Sequence, residues 1–423
     1  MFKIKPLVAA ILTVAAAQAI AAENTSEQLQ DGKYNAAEVI QSYGSSNTAK
    51  QVQGGNVNGA QIKQTASYSS SGLQTQSGKF NKAQASQTGS LHSESVQWQR
   101  GKGNDASVIQ AGASGSSAEQ RQHGNDNAAY TVQSGSSGVA FTKQVGNDNV
   151  ANSYQAGAIG SSAKLYQDGN GNRADASQTL SASDSSHIYQ LGNENTASTV
   201  QLWTSDSVVN VEQIGTANRA HVEQIGKNQE AHTYSAGKYN SLNVSQSGKN
   251  QNAFVHQQGN LHGAYLDQNG NGNTATANQK GLNSVVTIDQ NGLGQMVKVD
   301  QEGGYHQAEV DQQGKYNGLN FTQSDAGNLL TAKQDGDHNN VTGSSVGVNN
   351  DVDIVQDGDL NVANVKQDGL ENETTLAQYG DEHMANITQN GTSHNAIVTQ
   401  SGFDNSALIS QAGYNNLATV TQH

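Results

Sequence analysis

Polar and apolar residues alternate along most of this chain with a period of two, and glycine interrupts the alternation at regular intervals. In the stretch NVANVKQ, Asn361, Ala363, Val365 and Gln367 share one parity, and the residues between them share the other. A period of two is typical of a β-strand, because successive strand side chains point to opposite faces. A helix would instead tolerate these glycines poorly, at about 1 kcal/mol each. The pattern therefore predicts strands of about seven residues joined by turns of about four.

This alternation is organised in a repeat that glutamine marks. From Gln246 to Gln422 a Gln stands at every eleventh position, and Ser345 is the one substitution in that column. Upstream, steps of eleven and twelve mostly alternate, so a full repeat there has a 23-residue period. Counting both halves gives about 18 repeats. We therefore divide the mature chain into residues 23–212, with a mostly 23-residue period, and residues 213–423, with a strict 22-residue period made of two 11-residue halves.

Two strands and two turns make one flat coil, and stacked coils place each residue over its equivalent one repeat later, at about 4.8 Å. We therefore predict an all-β fold, a two-sided β-solenoid of about 18 stacked 22–23-residue coils with parallel, in-register, amyloid-like strands. Stacking aligns like residues, so inward amides are expected to bond the amides above and below them. The predicted self-assembly ladders of the downstream repeats are Gln356, Gln367, Gln378, Gln389, Gln400, Gln411 and Gln422, with Asn361, Asn372, Asn405 and Asn416. The glycines predicted to give the turns their backbone freedom are Gly358, Gly369, Gly380, Gly391, Gly402 and Gly413.

The inward columns change character along the chain. From Val365 to Val420, the position two residues before the marker Gln is Val, Ile or Leu in every repeat. Upstream, a second glutamine takes that place once per repeat, at Gln28, Gln51, Gln74, Gln97 and Gln120. We expect the first five coils to depend less on apolar packing than the last eight do.

Composition alone would indicate disorder, since only 5% of the residues are aromatic and 14% are charged. The regular repeat overrides that indication, because stacked repeats bury surface that no single repeat can bury. There is no cysteine, which excludes a disulfide framework and a thiolate metal site. The single proline is Pro6, so every residue of the mature chain keeps a backbone N–H for strand pairing.

Residues 1–22 are typical of a secretory signal peptide. Lys3 and Lys5 precede an apolar run, and the small-residue stretch Ala19-Ile20-Ala21 provides a cleavage site. No other apolar stretch is long enough to span a membrane. We therefore expect an exported protein without a transmembrane anchor.

The net charge of −14 lies in the downstream part of the chain. Residues 281–423 hold 18 acidic and 4 basic residues, whereas residues 1–280 hold 18 of each. An acidic chain argues against nucleic acid as a partner, because nucleic acid requires a basic face. Stacking would align Asp337, Asp359 and Asp381, which follow one another at the 22-residue period. The row has three interpretations: a weak candidate site for Ca²⁺, a repulsive row that slows assembly, or a solvated acidic edge.

No arrangement typical of an enzyme is present. The sequence offers no Ser/His/Asp order and no phosphate-binding loop, so we expect no catalytic residues, no enzyme activity and no cofactor. Five histidines replace Asn in its column and are expected to act as polar substitutes, because no two of them are one coil apart. They are His92, His262, His306, His383 and His394.

A frame of six positions, S-x5-Q-x-G-x2-N-x-A-x3-Q, recurs in register and is seen from Ser70, from Ser93 and from Ser116 to Gln133. The frame resembles the curlin repeat of bacterial curli, the secreted functional amyloid of biofilm matrix, and the resemblance covers essentially the whole mature chain. It implies a subunit that crosses the outer membrane unfolded through a dedicated pore, polymerises outside the cell and has a related nucleator as partner. The family's fibre subunits carry fewer repeats and a non-repeat leader, whereas here the repeats begin within a few residues of Glu23.

The predicted function is that of a secreted bacterial subunit that self-assembles end to end into extracellular curli-like fibres for biofilm matrix and surface adhesion. We find no polar capping segment at either end of the repeats, and an open edge strand templates further pairing. The expected partners are other copies of the chain, a curli-type nucleator and an outer-membrane secretion pore, without nucleic acid or membrane insertion. Two alternatives stay open, namely a nucleator or minor subunit and a monomeric β-solenoid adhesin.

Overall fold

The structure is a computed structural model that describes residues 23–423, and every regular element in it is a β-strand. The predicted signal peptide, residues 1–22, lies outside the described residues. The strands, numbered in chain order, are β1 (Thr25–Lys33), β2 (Ala36–Ser42), β3 (Thr48–Asn56), β4 (Gly59–Thr65), β5 (Ser71–Lys79), β6 (Lys82–Thr88), β7 (Glu94–Lys102), β8 (Asp105–Ala111), β9 (Ser117–Asn125), β10 (Ala128–Ser134), β11 (Ser137–Asn147), β12 (Val150–Ala156), β13 (Ile159–Asn170), β14 (Arg173–Thr179), β15 (Ser185–Asn193), β16 (Thr196–Ser205), β17 (Val208–Thr216), β18 (Arg219–Lys227), β19 (Glu230–Lys238), β20 (Ser241–Lys249), β21 (Asn252–Asn260), β22 (Gly263–Asn271), β23 (Thr274–Leu282), β24 (Val285–Leu293), β25 (Met296–Gly304), β26 (Gln307–Lys315), β27 (Gly318–Ala326), β28 (Leu329–Asp337), β29 (Asn340–Val348), β30 (Asp351–Asp357), β31 (Val362–Leu370), β32 (Glu373–Asp381), β33 (Met384–Thr392), β34 (Asn395–Phe403), β35 (Ser406–Tyr414) and β36 (Leu417–Gln422).

The strands form two parallel sheets that lie face to face. The odd-numbered strands pair in succession, β1 with β3 and so on to β35, and form the odd sheet. The even-numbered strands pair in the same way from β2 to β36 and form the even sheet. One strand of each sheet makes one coil, so the described chain has 18 coils, and the predicted two-sided β-solenoid is confirmed.

Equivalent residues of successive coils lie over one another. In the first coils Gln28 lies over Gln51, whereas in the last coils Gln378 lies over Gln400, an offset that is shorter by one residue. The register between β16 and β18 shifts between Leu202 and Ser205, and the pairs that follow keep the shorter offset. The extra residue is thus accommodated near the end of β16, after the marker Gln201, because a one-residue slip earlier in the strand would turn inward side chains outward.

The core is one layer of side chains between the two sheets. The inward Asn361, Ala363, Val365 and Gln367 are at most 2% exposed. A continuous apolar cluster extends from Ala151 to Ile409, whereas the upstream cluster contains only Ala49, Ile62 and Ala85. The expectation that the first coils depend less on apolar packing agrees with this difference.

A second row of amides fills the upstream core instead. The side chains of Gln28, Gln51, Gln74, Gln97 and Gln120 each donate to the next one at 2.7–3.0 Å. From Gln51 onward these side chains have no solvent exposure. Burial of so many amides is tolerable because each one is hydrogen-bonded.

The predicted boundaries of strands and turns are wrong in one respect. Strand β31 has nine residues and includes Gly369, and only two residues separate it from β32. Gly369 stays paired with Gly391 of the next coil while its positive φ of 134° bends the chain. The sharp turn needs a second left-handed residue just before the Asn column, and there the φ of Glu371 is 53°. Non-glycine residues tolerate that angle at a cost of about 1–2 kcal/mol.

Candidate functional site

The longest side-chain hydrogen-bonded array of the molecule is a ladder of glutamines inside the even sheet. It runs through every even strand, from Gln41 to Gln422, without interruption. Each Nε2 donates to the Oε1 of the glutamine one coil later, at 2.6–3.0 Å. The ladder includes four of the predicted residues, Gln356, Gln378, Gln400 and Gln422.

The remaining amide proton of each glutamine also has a partner. Nε2 of Gln378, for example, donates to the backbone carbonyl of Val362 at 3.2 Å. Both N–H groups and the oxygen of such an amide therefore have a hydrogen-bond partner. A buried and fully bonded amide fixes the register of its strand, because a slip would bury unpaired polar groups.

A second glutamine ladder lies in the odd sheet and is interrupted twice. It contains Gln367, Gln389 and Gln411, which are joined by bonds of 3.0 Å. Ser235 and Ser345 replace glutamine in this column, and each hydroxyl donates to the next glutamine Oε1, at 3.1 and 2.9 Å. Each serine therefore donates in the same direction as the glutamines do. Its shorter side chain, however, makes no hydrogen bond with the glutamine of the preceding coil.

Every bond of both ladders points the same way along the solenoid. The donor is always the residue of the earlier coil and the acceptor that of the later coil. In the described chain, the last coil therefore leaves Nε2 of Gln411 and Gln422 without a ladder acceptor, and the first coil leaves Oε1 of Gln30 and Gln41 without a ladder donor. The two end surfaces of the described solenoid are chemically complementary.

Asparagines form a different kind of column at the turns. Nδ2 of Asn361 donates to the carbonyl oxygen of Gly380 at 2.7 Å, and its Oδ1 accepts from the backbone N–H of His383 at 3.0 Å. Asn372 makes the equivalent bonds to the carbonyl of Gly391 and the N–H of His394, at 3.3 and 3.1 Å. The column thus ties each turn to the turn of the next coil.

The last two predicted asparagines lie at the end of the described stack. Asn405 and Asn416 still donate to carbonyls of their own turns, those of Ser401 and Ala412, at 2.8 Å each. Their side chains are more exposed than those of Asn361 and Asn372. These two asparagines therefore form part of the open end surface.

Histidine replaces asparagine at several positions of this column and makes equivalent hydrogen bonds. Nδ1 of His383 accepts from the backbone N–H of Asn405 at 3.2 Å, and its Nε2 lies 3.1 Å from the carbonyl of Tyr379. His262, His306 and His394 are buried at the same position. The prediction for His92 is wrong, because that side chain is exposed and Ser93 occupies the column. The upstream turn is longer and holds two buried serines, Ser90 and Ser93. Spacing counted from the marker glutamines therefore misses the column position by one residue.

A histidine can make these asparagine-like hydrogen bonds only when its imidazole is neutral. The stability of the solenoid should therefore depend on pH. His306 accepts from the N–H of Asn328 at 3.3 Å through Nδ1, which a protonated ring cannot do. Burial lowers the pKa of His306 below its usual value. A histidine with a lowered folded-state pKa contributes stability above its unfolded pKa, and that contribution is lost as the pH falls through the folded pKa.

We therefore expect His306→Asn to reduce the loss of thermal stability between about pH 7.5 and about pH 5. Asparagine keeps an acceptor and a donor at this position, and it does not titrate. The matched control is His338→Asn, because His338 is exposed at a turn. Melting curves followed by circular dichroism at both pH values provide the measurement, and an acid-induced fall in Tm as large in His306→Asn as in the wild type would contradict the interpretation.

The weak metal candidate has another role in the structure. Oδ1 of Asp359 accepts from the backbone N–H of Asp337 at 2.7 Å, and Oδ1 of Asp381 accepts from the N–H of Asp359 at 2.9 Å. Asp337 itself pairs with Lys315 at 3.2 Å. The carboxylates are stacked as expected, but those of Asp359 and Asp381 each point back to a backbone donor. Among the residues that the structure describes, no group of three or more His, Asp or Glu side chains is arranged to hold a metal ion.

The turn glycines form a stack of their own. A Cβ built on Gly369, Gly380 or Gly391 would lie 1.9–2.1 Å from the carbonyl oxygen of the glycine in the next coil. Gly358 lies just beyond β30 and makes the same close approach to Gly380. Gly402 and Gly413 belong to the last coils, where a Cβ would meet no atom closer than 3.6 Å. Within the stack, glycine is therefore required for the close approach of successive turns as well as for backbone freedom.

Comparison with known proteins supports the resemblance seen in the sequence. The family model described as the curlin associated repeat matches residues 347–380, 358–391, 380–413 and 395–423. No curated protein gives a significant match. Within residues 23–423 there is no helix with the length and apolarity needed to cross a membrane. The matched repeats coincide with coils whose glutamine ladder continues through the whole described stack, and residues 347–423 therefore consist of curlin associated repeats.

Proposed function

We propose that this protein is a secreted subunit that assembles end to end into extracellular curli-like fibres. The curlin repeat and the solenoid fold are structural rather than enzymatic features and are consistent with a fibre protein. The observation that carries the proposal is the common direction of the amide ladders. It leaves hydrogen-bond donors on one end surface and acceptors on the other, so that one copy offers the partners that the next copy lacks.

The residues at the two ends of the even sheet also correspond. If the first coil of one copy stacked on the last coil of another, the even strands would align like with like. In such a junction Asn416, Ala418, Val420 and Gln422 would meet Asn35, Ala37, Val39 and Gln41. The junction would extend the core, the backbone pairing and the glutamine ladder together, as stacked in-register strands do in amyloid.

The cellular part of the proposal rests on the sequence and on the family. Residues 1–22 would direct export, and the resemblance to curli implies an outer-membrane pore and a related nucleator as partners. The fibre would then serve biofilm matrix and surface adhesion. Partners other than further copies of the chain would not include nucleic acid, because the downstream coils are strongly acidic.

The direct test is to purify residues 23–423, incubate them without any cofactor, and record fibre diffraction and seeded growth. We expect a meridional reflection near about 4.8 Å, the spacing of paired strands. Fragments of preformed fibres should also shorten the lag before growth, because they supply end surfaces. A protein that stays monomeric at high concentration for weeks, with and without seeds, would overturn the proposal.

A further inference from the structure

The outer face of the odd sheet carries an unusual concentration of aromatic and basic side chains. Trp98, Arg121, Phe141, Lys143, Lys164 and Tyr166 lie on four successive strands, β7, β9, β11 and β13, and together we call them the aromatic-cationic strip. The guanidinium carbon of Arg121 lies 5.9 Å from the ring centroid of Phe141, and that ring lies 5.2 Å from the ring of Tyr166. Such cation–ring and ring–ring contacts are favourable and connect side chains of neighbouring strands.

The strip contains a groove and unpaired positive charge. A depression of about 460 Å³ is lined by Trp98, Arg121, Lys143 and His123, among others. Arg121 pairs with Glu119. Within residues 23–423, Lys143 and Lys164 make no ion pair. The ammonium groups of these two lysines are therefore available to an acidic partner.

The opposite sheet carries an acidic surface farther along the chain. It consists of Asp267, Asp289, Asp311, Asp351, Asp353 and Glu373 on strands β22 to β32, and we call it the acidic face. Asp267, Asp289 and Asp311 are stacked directly in register, as are Asp351 and Glu373. Within the described residues none of these six side chains forms an ion pair.

Like charges at this spacing repel one another. Burial, followed by the charges of Asp267 and Asp311, raises the pKa of Asp289, and burial, followed by Glu373 and Asp353, raises the pKa of Asp351. On the even sheet Lys333 is stacked on Asp311 without forming an ion pair with it, and the cations of the strip are on the odd sheet, on the other side of the molecule. The two surfaces can meet only between two molecules.

We propose that the aromatic-cationic strip of one molecule docks on the acidic face of a second copy, so that solenoids associate side by side. Both surfaces are flat sheet faces whose rows repeat at the same spacing, about 4.8 Å, so rows of cations can lie along rows of carboxylates. Each copy has one strip and one acidic face, which makes the contact heterologous and able to continue from molecule to molecule. The inference goes beyond end-to-end growth, because it concerns contacts between neighbouring solenoids.

The test uses two charge-reversed variants of the full mature chain. The strip variant carries Arg121→Glu and Lys143→Glu, and the acidic-face variant carries Asp289→Lys and Asp311→Lys. We expect the lateral association of each variant alone to be at least about tenfold weaker than that of the wild type, because like charges then face each other across the contact. Mixing the two variants should restore association, since each then offers the surface that complements the other.

The control variant, Lys238→Glu with Lys249→Glu, makes the same change in net charge as the strip variant, at exposed positions near the ends of β19 and β20. It should associate like the wild type. Lateral association is measured as bundle width by electron microscopy and as sedimentation, at low and at high ionic strength. Salt should disperse the wild-type bundles, because it screens exposed charges.

Several outcomes would overturn the inference: wild-type bundles that resist salt, single variants that bundle like the wild type, or a mixture that stays dispersed. Wild-type solenoids that remain separate at low salt but bind a carboxylated polysaccharide through the strip would also overturn it, and would assign the strip to a carbohydrate instead. Seeded elongation is measured in parallel and should be the same in all variants. A failure of lateral pairing is thereby distinguishable from a failure of end-to-end assembly.

Discussion

Alanine in place of Gly369 is expected to destabilise the solenoid by about 3–5 kcal/mol, a large effect for a single methyl group. The new Cβ would lie 1.9 Å from the carbonyl oxygen of Gly391 in the next coil, and the φ of 134° at this position disfavours any side chain. The obstructing atom is a backbone oxygen held on both sides by the parallel ladder, so it cannot move away as a flexible side chain could. Chemical unfolding and hydrogen exchange of the coils around β31 would measure the loss.

The matched control is Gly59→Ala. Gly59 begins β4 with an ordinary backbone conformation, and a Cβ there would meet no atom within 4 Å. We expect a change of no more than about 0.5 kcal/mol. Equal stabilities of the two variants would show that successive turns do not approach as closely as the glycine stack indicates, and the account of the turns would then be wrong.

The sequence predicts the solenoid well because its constraints are periodic. A strand buries every second residue, and stacking requires that the same residue types recur at the same place in each coil, so spacing alone identifies inward columns. Ala363 and Val365, for example, lie in the core as their parity predicts. The change from an amide column to an apolar column between Gln120 and Leu165 is likewise visible in the sequence and in the core.

The turns are less predictable, since different residues can serve the same geometry. The left-handed residue before the Asn column is Leu at position 360, Glu at 371, Ser at 393 and Asn at 415, with φ between 53° and 61°. No residue type marks this position, and only its place relative to the paired Gly identifies it. The longer upstream turns contain one residue more, so that spacing alone wrongly places His92 in the column that Ser93 occupies.

The direction of the ladders lies outside what composition and spacing can reveal. A column of glutamines is compatible with amides that point toward either end of the stack. The direction is set by the second amide proton, which must reach a backbone carbonyl, as when Gln400 donates to the carbonyl of Met384 at 3.1 Å. That requirement depends on the relative position of the two sheets, which only the folded structure defines.

Removing the two terminal ladder amides, with Gln411→Ala and Gln422→Ala, is expected to slow fibre elongation roughly 10- to 30-fold while leaving the solenoid folded. Within one chain, Gln411→Ala removes the oxygen that accepts from Nε2 of Gln389 at 3.0 Å, and Gln422→Ala removes the oxygen that accepts from Nε2 of Gln400 at 2.9 Å. Each lost bond is worth about 1 kcal/mol net. Ala418 and Val420 still pack against the apolar cluster, so the last coil keeps its core. At a junction, however, both amide donors that point toward the next copy are missing, and two bonds of about 1 kcal/mol correspond to the expected change in rate.

The control for this experiment is Thr419→Ala with Thr421→Ala, because both threonines are exposed on the outward face of the same strand, β36. Seeded elongation would be compared among the wild type, the amide variant and the threonine variant at equal protein concentration. Every end-to-end junction joins one last coil to one first coil, so the amide variant should be slow whichever end of the fibre grows. If the threonine variant is equally slow, the outward face rather than the ladder controls growth. If neither variant is slower than the wild type, the junction does not involve this coil.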